Sequence, residues 1–228
     1  MSGTAAAQKF YGRWARLYDV IATSTPGVGS VRDAAVSTLA LEPGDTVLDM
    51  GCGTGANFPF IRERIGSDGT LVGVDYTAGM LDQAHARVER EGWENVHVVR
   101  GDASRPPVCG PVDAVISSFV VGMLGDPERT VGDWISLLRP GGRIVLLDAA
   151  QSSRLVGEPL NALFQAFVLA SSPPGTRSRH REEPWNVLDS RVAAARRALE
   201  HGTVARTHED RALGFVQVTG GRRPESNE

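Results

Sequence analysis

The sequence predicts an α/β domain: a seven-stranded, mostly parallel sheet with helices on both faces, finished by a C-terminal antiparallel hairpin. Three observations lead there. Short apolar runs alternate with amphipathic stretches from Thr46 to Asp148, the rhythm of strands joined by crossover helices. The first apolar run ends in an acid and enters three closely spaced glycines. After Asp148 the rhythm changes, and the last stretch reads as a helix followed by two strands. A chain of 228 residues suits one core with a small cap.

In chain order, residues 1–42 form a helical cap and 43–150 the sheet core. The strands read Thr46–Met50, Leu71–Asp75, Val96–Val99, Val112–Ser118 and Arg143–Leu147. Met80, Leu81, Ala84 and Val88 recur at helical spacing, so the helix after the second strand lays one apolar stripe on the sheet. Asp126 and Pro127 make an N-cap and first-turn pair for a helix whose stripe is Val131, Trp134, Ile135 and Leu138. Pro140-Gly141-Gly142 ends that helix and turns the chain into the fifth strand. Residues 151–202 hold a mainly apolar helix around Leu155–Leu169, a polar lid loop reading SSPPGTRSRHREEP, and a helix capped by Asn186 that runs to about His201. Thr203–Glu209 and Gly214–Thr219 then pair as a hairpin within 203–220. The whole of 1–228 reads as one domain.

Composition narrows the function classes. A net charge of -3 offers no global field for nucleic-acid phosphates, so no nucleic-acid partner is expected. The two cysteines, Cys52 and Cys109, sit in no CxxC pair, which argues against structural zinc and a disulfide framework. No metal is expected, and a reducing cytoplasm fits. The N-terminal stretch alternates apolar and charged residues, unlike a secretory signal. The most apolar long window, Pro106–Gly125, is broken by Asp113 and by glycines and prolines, so no membrane span is expected, which leaves surface association open.

The stretch VLDMGCGTGANF, residues 47–58, carries the chemistry. Gly51, Gly53 and Gly55 lack the Cβ atoms that would block close approach, and the next helix points unpaired amides at the turn. A small molecule bound at a strand-to-helix turn is the reading. Dinucleotide dehydrogenases use a related loop, and Ala56, three after Gly53, is tolerated by their fingerprint. Asp75 ends the second strand, where a carboxylate accepts from a ribose diol in either class. Asp102, after the third strand, adds an acceptor for an adenine amine. Either acid alone reads equally well as a turn cap; both beside the glycine turn point to a nucleoside.

With those residues in view, the chain resembles a class I S-adenosylmethionine-dependent methyltransferase, more narrowly the ubiquinone/menaquinone-biosynthesis and phospholipid N-methyltransferase type. The resemblance rests on RLYDV, LEPGDTVLDMGCGTG, GTLVGVDYTAGML, VVRGDA, ISSF and LLRPGGRIVLLD in the family's order. It implies a Rossmann-like fold with S-adenosyl-L-methionine as cofactor. It further implies that Asp49, Gly51, Cys52, Gly53, Thr54 and Gly55 hold the methionine portion and Asp75 the ribose. Tyr76 and Met80 would flank the adenine, with Asp102 accepting from its amine and the Ala103 backbone facing the ring. Ser118, with Ser117 beside it, would lie near the methionine end, and Tyr18 would close over the cofactor. Quinone methyltransferases continue ISF with a GLRN-like segment, whereas this chain reads Val120-Val121-Gly122-Met123-Leu124, so the acceptor stays open.

Methyl transfer from a sulfonium needs alignment and exclusion of water, with no covalent enzyme intermediate. A phenol, enol or amine acceptor adds the need for a proton acceptor. Tyr18 and His180 are the candidates, while Tyr11 lies in the cap and His85 on a helix face turned to solvent. His180 stands among Arg177, Arg179 and Arg181, and with Glu182 and Glu183 adjacent the plain reading is a self-neutralised surface loop. Leu163, Phe164, Phe167 and Trp185 read as an acceptor pocket or as ordinary core. The acceptor is expected to be a small or lipid-like quinol, phenol or amine. The competing classes are a nicotinamide-dependent oxidoreductase and a regulatory module that binds the cofactor without turnover. The sequence leaves the oligomeric state open.

Overall fold

The computed structural model describes residues 28–152, 157–171 and 183–225. Helix α1 (Val28–Thr38) leads into β1 (Thr46–Met50), α2 (Phe58–Ile65), β2 (Thr70–Asp75), α3 (Ala78–Glu91) and β3 (Val96–Arg100). Next come β4 (Val112–Ser118), α4 (Pro127–Leu137) and β5 (Leu138–Ala149). Helices α5 (Asn161–Ser171) and α6 (Pro184–Gly202) precede β6 (Val204–Arg211) and β7 (Val216–Arg222).

The seven strands form one sheet in the order β3-β2-β1-β4-β5-β7-β6. β1 to β5 are parallel, and β7 runs antiparallel between β5 and β6. β1 shows why: Val47, Leu48, Asp49 and Met50 are all buried, as a central strand covered on both faces requires. Alternate residues serve two cores. Val47, Ile116, Val145 and Leu147 face α1, α2 and α3, whereas Leu48, Val115, Ile144 and Leu146 face α4 and α6.

The α4 cap forms as its sequence suggests, with Asp126 accepting from the Arg129 amide at 3.1 Å and Pro127 in the first turn. Leu138, however, already pairs with Val112, and Arg143 pairs with Ala114. The Pro140-Gly141-Gly142 segment therefore bulges out of a strand already begun. α6 starts at Pro184, ahead of Asn186, because proline fills a first-turn position whose amide would have no partner. The two terminal strands exist and run two or three residues past the expected ends. The lid loop at 172–182 lies outside the described residues.

Candidate active site

Strand order reverses between β1 and β4, and chain connections leave the two strands in opposite directions there. That opens a crevice at their C-terminal ends. The glycine turn fills this position. The amides of Gly51 and Cys52 both donate to Val74 O, at 2.8 and 3.0 Å, so the turn folds back over β2. Gly51 has φ +72°, and a Cβ there would stand 2.3 Å from Val120 Cγ2. Gly53, at φ +56°, has nothing within 4 Å of where its Cβ would be. One glycine is needed for the wall behind it, the other opens onto free space.

Asp75, at the end of β2, accepts from the Gly53 amide at 3.0 Å and from the Thr77 amide at 2.8 Å, one bond on each oxygen. It thus clamps the turn to the start of α3, where the Thr77 hydroxyl and the Tyr76 amide also favour its charged form. Burial raises its pKa, and those amide bonds oppose the rise.

Beneath the turn, Asp49 is fully buried and receives the Asn57 Nδ2 on both oxygens, at 3.2 and 3.1 Å. Asn57 sits at the start of α2 without capping it; its amide also meets Ser118 Oγ at 3.1 Å and its Oδ1 accepts from Arg32 Nη1 at 2.7 Å. Arg32, from α1, lies 5.5 Å from the Phe119 ring centroid. Phe119 itself leaves β4 with φ +61°, a conformation costly for an L-residue and typical of functional turns. Desolvation pushes the Asp49 carboxyl up to about 7, while the Asn57 bond and the Arg32 charge pull against it.

The other sequence candidates divide. Thr54 is buried with its carbonyl accepting from Arg87 Nε at 3.2 Å. Cys52 is buried in the α2 core; burial pushes its thiol up, with the Asp49 and Asp75 charges adding, which suits a packing residue. Tyr76 is 44% exposed and Met80 is buried, one turn apart at the start of α3. Asp102 is exposed, and its Oδ1 accepts from the amide and hydroxyl of Ser104, both at 2.8 Å. The Ala103 carbonyl accepts from Trp134 Nε1 at 2.7 Å, so α4 holds this loop in place. Ser117 is buried and donates to Met50 O at 2.9 Å, stitching β4 to β1. Tyr18 and His180 lie outside the described residues. His85 is exposed on α3.

Three residues escaped the sequence reading. Asn57 sat inside the quoted glycine stretch without a role of its own; Arg32 carried no motif. Asp148, last of the LLRPGGRIVLLD run, is 5% exposed, and desolvation raises its pKa to about 7 against one opposing bond from the Val121 amide. A separate cavity of about 510 Å³ lies between the end of α6 and the β6–β7 strands, where Arg206 bonds Glu200 O and so caps the helix. Among the described residues no cluster of metal-ligand side chains occurs, and no helix is long and apolar enough to cross a membrane.

A family model described as a methyltransferase domain matches residues 47–142, from β1 into β5. The nocamycin O-methyltransferase of Saccharothrix syringae is 31% identical over 214 residues, 91% of this chain and 71% of that protein. The chain belongs to the class I S-adenosylmethionine-dependent methyltransferases. Its cofactor is accordingly S-adenosylmethionine. This methyltransferase is also 36% identical over 115 residues to an arsenite methyltransferase of Halobacterium salinarum, but that match spans 50% of the chain and only 29% of the relative. A solved S-adenosylmethionine-dependent methyltransferase from Aquifex aeolicus shares the fold, with a TM-score of 0.57 at 17% identity over 84% of this methyltransferase and 89% of that chain.

Proposed function

We propose that this methyltransferase transfers the methyl group of S-adenosylmethionine to a small or lipid-like acceptor, a quinol, phenol or amine. The observation that carries the reading is the pairing of Gly53 with Asp75: an open space where a Cβ would be, bordered by the carboxylate that ends β2. The bound cofactor supplies an electrophilic methyl group on a sulfonium.

In this reading Asp49 and the 51–55 turn hold the methionine portion, with the Asn57–Ser118 contact bracing it. Asp75 takes the ribose hydroxyls. Tyr76 and Met80 border the adenine, Asp102 uses its second oxygen for the adenine amine, and the Ala103 amide faces the ring. The buried carboxyls suit a cationic ligand, since a positive charge offsets the cost of ionising them out of water. Tyr18 stays the residue proposed to close over the cofactor, and Tyr18 and His180 stay the candidates for taking a proton from the acceptor. A net charge of -3 favours a small-molecule acceptor over a polyanion.

Two measurements test this. Calorimetry with S-adenosylmethionine, S-adenosylhomocysteine and NAD should show binding of both adenosyl ligands and none of NAD; the reverse pattern would overturn the proposal. A screen of quinols, catechols, amines and phospholipids with labelled cofactor should then find the acceptor, and labelling confined to nucleic acid or protein would refute the acceptor class.

A further inference from the structure

The glycine turn is closed at its base by one side-chain contact. Asp49 precedes the turn in β1, Asn57 follows it at the entrance to α2, and the Asn57 Nδ2 reaches both Asp49 oxygens at 3.2 and 3.1 Å. The same nitrogen meets Ser118 Oγ at 3.1 Å, which ties this clasp to β4. Asp49 and Asn57 are both buried, so the contact is made out of water.

Arg32 of α1 decides which way round the clasp is held. A guanidinium only donates, so the atom that Arg32 Nη1 meets at 2.7 Å has to be the Asn57 carbonyl oxygen. The amide nitrogen then turns to Asp49. With the amide reversed, its oxygen would face the Asp49 carboxylate, acceptor against acceptor. Arg32 meets the clasp a second time through the ring of Phe119, the residue after Ser118, at 5.5 Å from its centroid.

The helix does not need this buried cation for its own docking. Ala35, Val36 and Leu39 already bury α1 in the core, and Arg64 of α2 binds it from outside through Asp33 at 2.6 Å and Ser37 Oγ at 2.8 Å. Arg32, by contrast, is 5% exposed, a costly place for a charge unless that charge acts on something nearby. What lies nearby is Asp49. Burial pushes its carboxyl up to about 7, the Asn57 bond and the Arg32 charge oppose the rise, and the Asp75 charge adds to it. Ser118 on β4 is neutral, and the Cys52 thiol, itself pushed up by burial, adds no charge.

Resting on the methyltransferase reading, we propose that Arg32 is a positioning residue for cofactor capture: through Asn57 it fixes the polarity of the Asp49–Asn57 clasp and so holds the 51–55 turn ready for S-adenosylmethionine. It touches neither the cofactor nor the acceptor. Its charge and its donor-only chemistry act at one remove, by making Asp49 the terminal acceptor of a chain that runs from α1 to β1.

Calorimetric titration with S-adenosylhomocysteine tests this. Arg32→Met should weaken binding by about tenfold. Arg32→Lys, which also carries a charge and only donates, should restore it to within about threefold. Arg64→Met removes the ion pair to α1 without touching the clasp; it should lower the urea midpoint and leave affinity within about twofold of wild type. If Arg32 acts through Asn57, adding Arg32→Met to Asn57→Leu should cost less than about threefold beyond Asn57→Leu alone. Wild-type affinity in Arg32→Met, a full further loss in the double variant, or an equal loss in Arg64→Met would each overturn the proposal while leaving the methyltransferase reading standing. Failure of wild type to bind either adenosyl ligand would instead bring down that reading.

Arg32→Gln covers a folding defect in the methionine variant, since glutamine either donates or accepts and no longer fixes the amide. It should bind more weakly than Arg32→Lys, and equal affinities in the two would refute the role. A purely structural residue would not move the pH profile. Wild-type affinity should rise with pH through about 7 as Asp49 ionises, and in Arg32→Gln the rise should move to higher pH. Superimposable profiles would also refute the role.

Discussion

The amide of Gly53 points at the carboxylate of Asp75 across 3.0 Å, joining the turn after β1 to the end of β2 in one rim. The same carboxylate holds the Thr77 amide at 2.8 Å, so the shape of the turn and the position of α3 depend on one side chain.

Asp75→Ala should therefore do two things. It removes the proposed ribose acceptor and strands two backbone amides, and hydrogen bonds to charged groups are worth about 1.5–3 kcal/mol. We expect S-adenosylhomocysteine affinity to fall by about tenfold or more in calorimetry. Wild-type affinity would show that the ribose lies elsewhere.

Gly51→Ala and Gly53→Ala should separate stability from binding. The first places a methyl 2.3 Å from Val120 Cγ2 at a positive φ, for a loss of about 2–4 kcal/mol in urea denaturation. The second meets nothing within 4 Å and should cost only about 1–2 kcal/mol of stability for its backbone. Its methyl enters the space assigned to the ligand, so its affinity for S-adenosylhomocysteine should fall more than its stability. Equal affinity in Gly53→Ala and wild type would contradict that assignment.

Stability without ligand should decline as pH rises. Asp49 and Asp148 have folded pKa values of about 7 against an ordinary 3.8, so between those limits the folded chain holds protons that the unfolded chain has released. Their contribution is full below about pH 4 and is lost as pH climbs through about 7, at a limit of about 1.4 kcal/mol per pH unit per group. Urea midpoints measured from pH 5 to 8 should fall, and Asp49→Asn or Asp148→Asn should each flatten the decline. A rising midpoint over that range would be inconsistent with two protonated buried carboxyls.

Trp134→Phe keeps most of the buried ring and removes the 2.7 Å bond to Ala103 O. A loss of about 1 kcal/mol in stability is expected. A weaker affinity for adenosine should accompany it, because the 102–104 loop loses its tether to α4. Unchanged adenosine binding would place the nucleobase away from this loop.

The strands and the glycine turn were legible because period and composition act locally: TVLDM and RIVLL are mostly apolar runs, each with an acid one residue before its strand ends. The direction of a hydroxyl or an amide is not local. Ser117 and Ser118 are neighbours, yet the first is buried against β1 and the second reaches Asn57, a difference set by the pleat and by which strand lies alongside. Arg32 and Asn57 are 25 positions apart and meet only when α1 packs on α2. Asp148 read as the end of a strand motif, since burial of its carboxyl depends on the chain returning as Val121. At Asn186 the capping signal lost to Pro184, whose ring prefers the first turn.

The bracing beneath the turn draws on Arg32, Asp49, Asn57 and Ser118, a stretch of chain that closes only when β4 slots in beside β1. A nascent chain ending after β3 would possess every glycine of the turn but not the hydroxyl that steadies Asn57. The bracing of Asn57 is thereby complete only once both halves of the sheet have met.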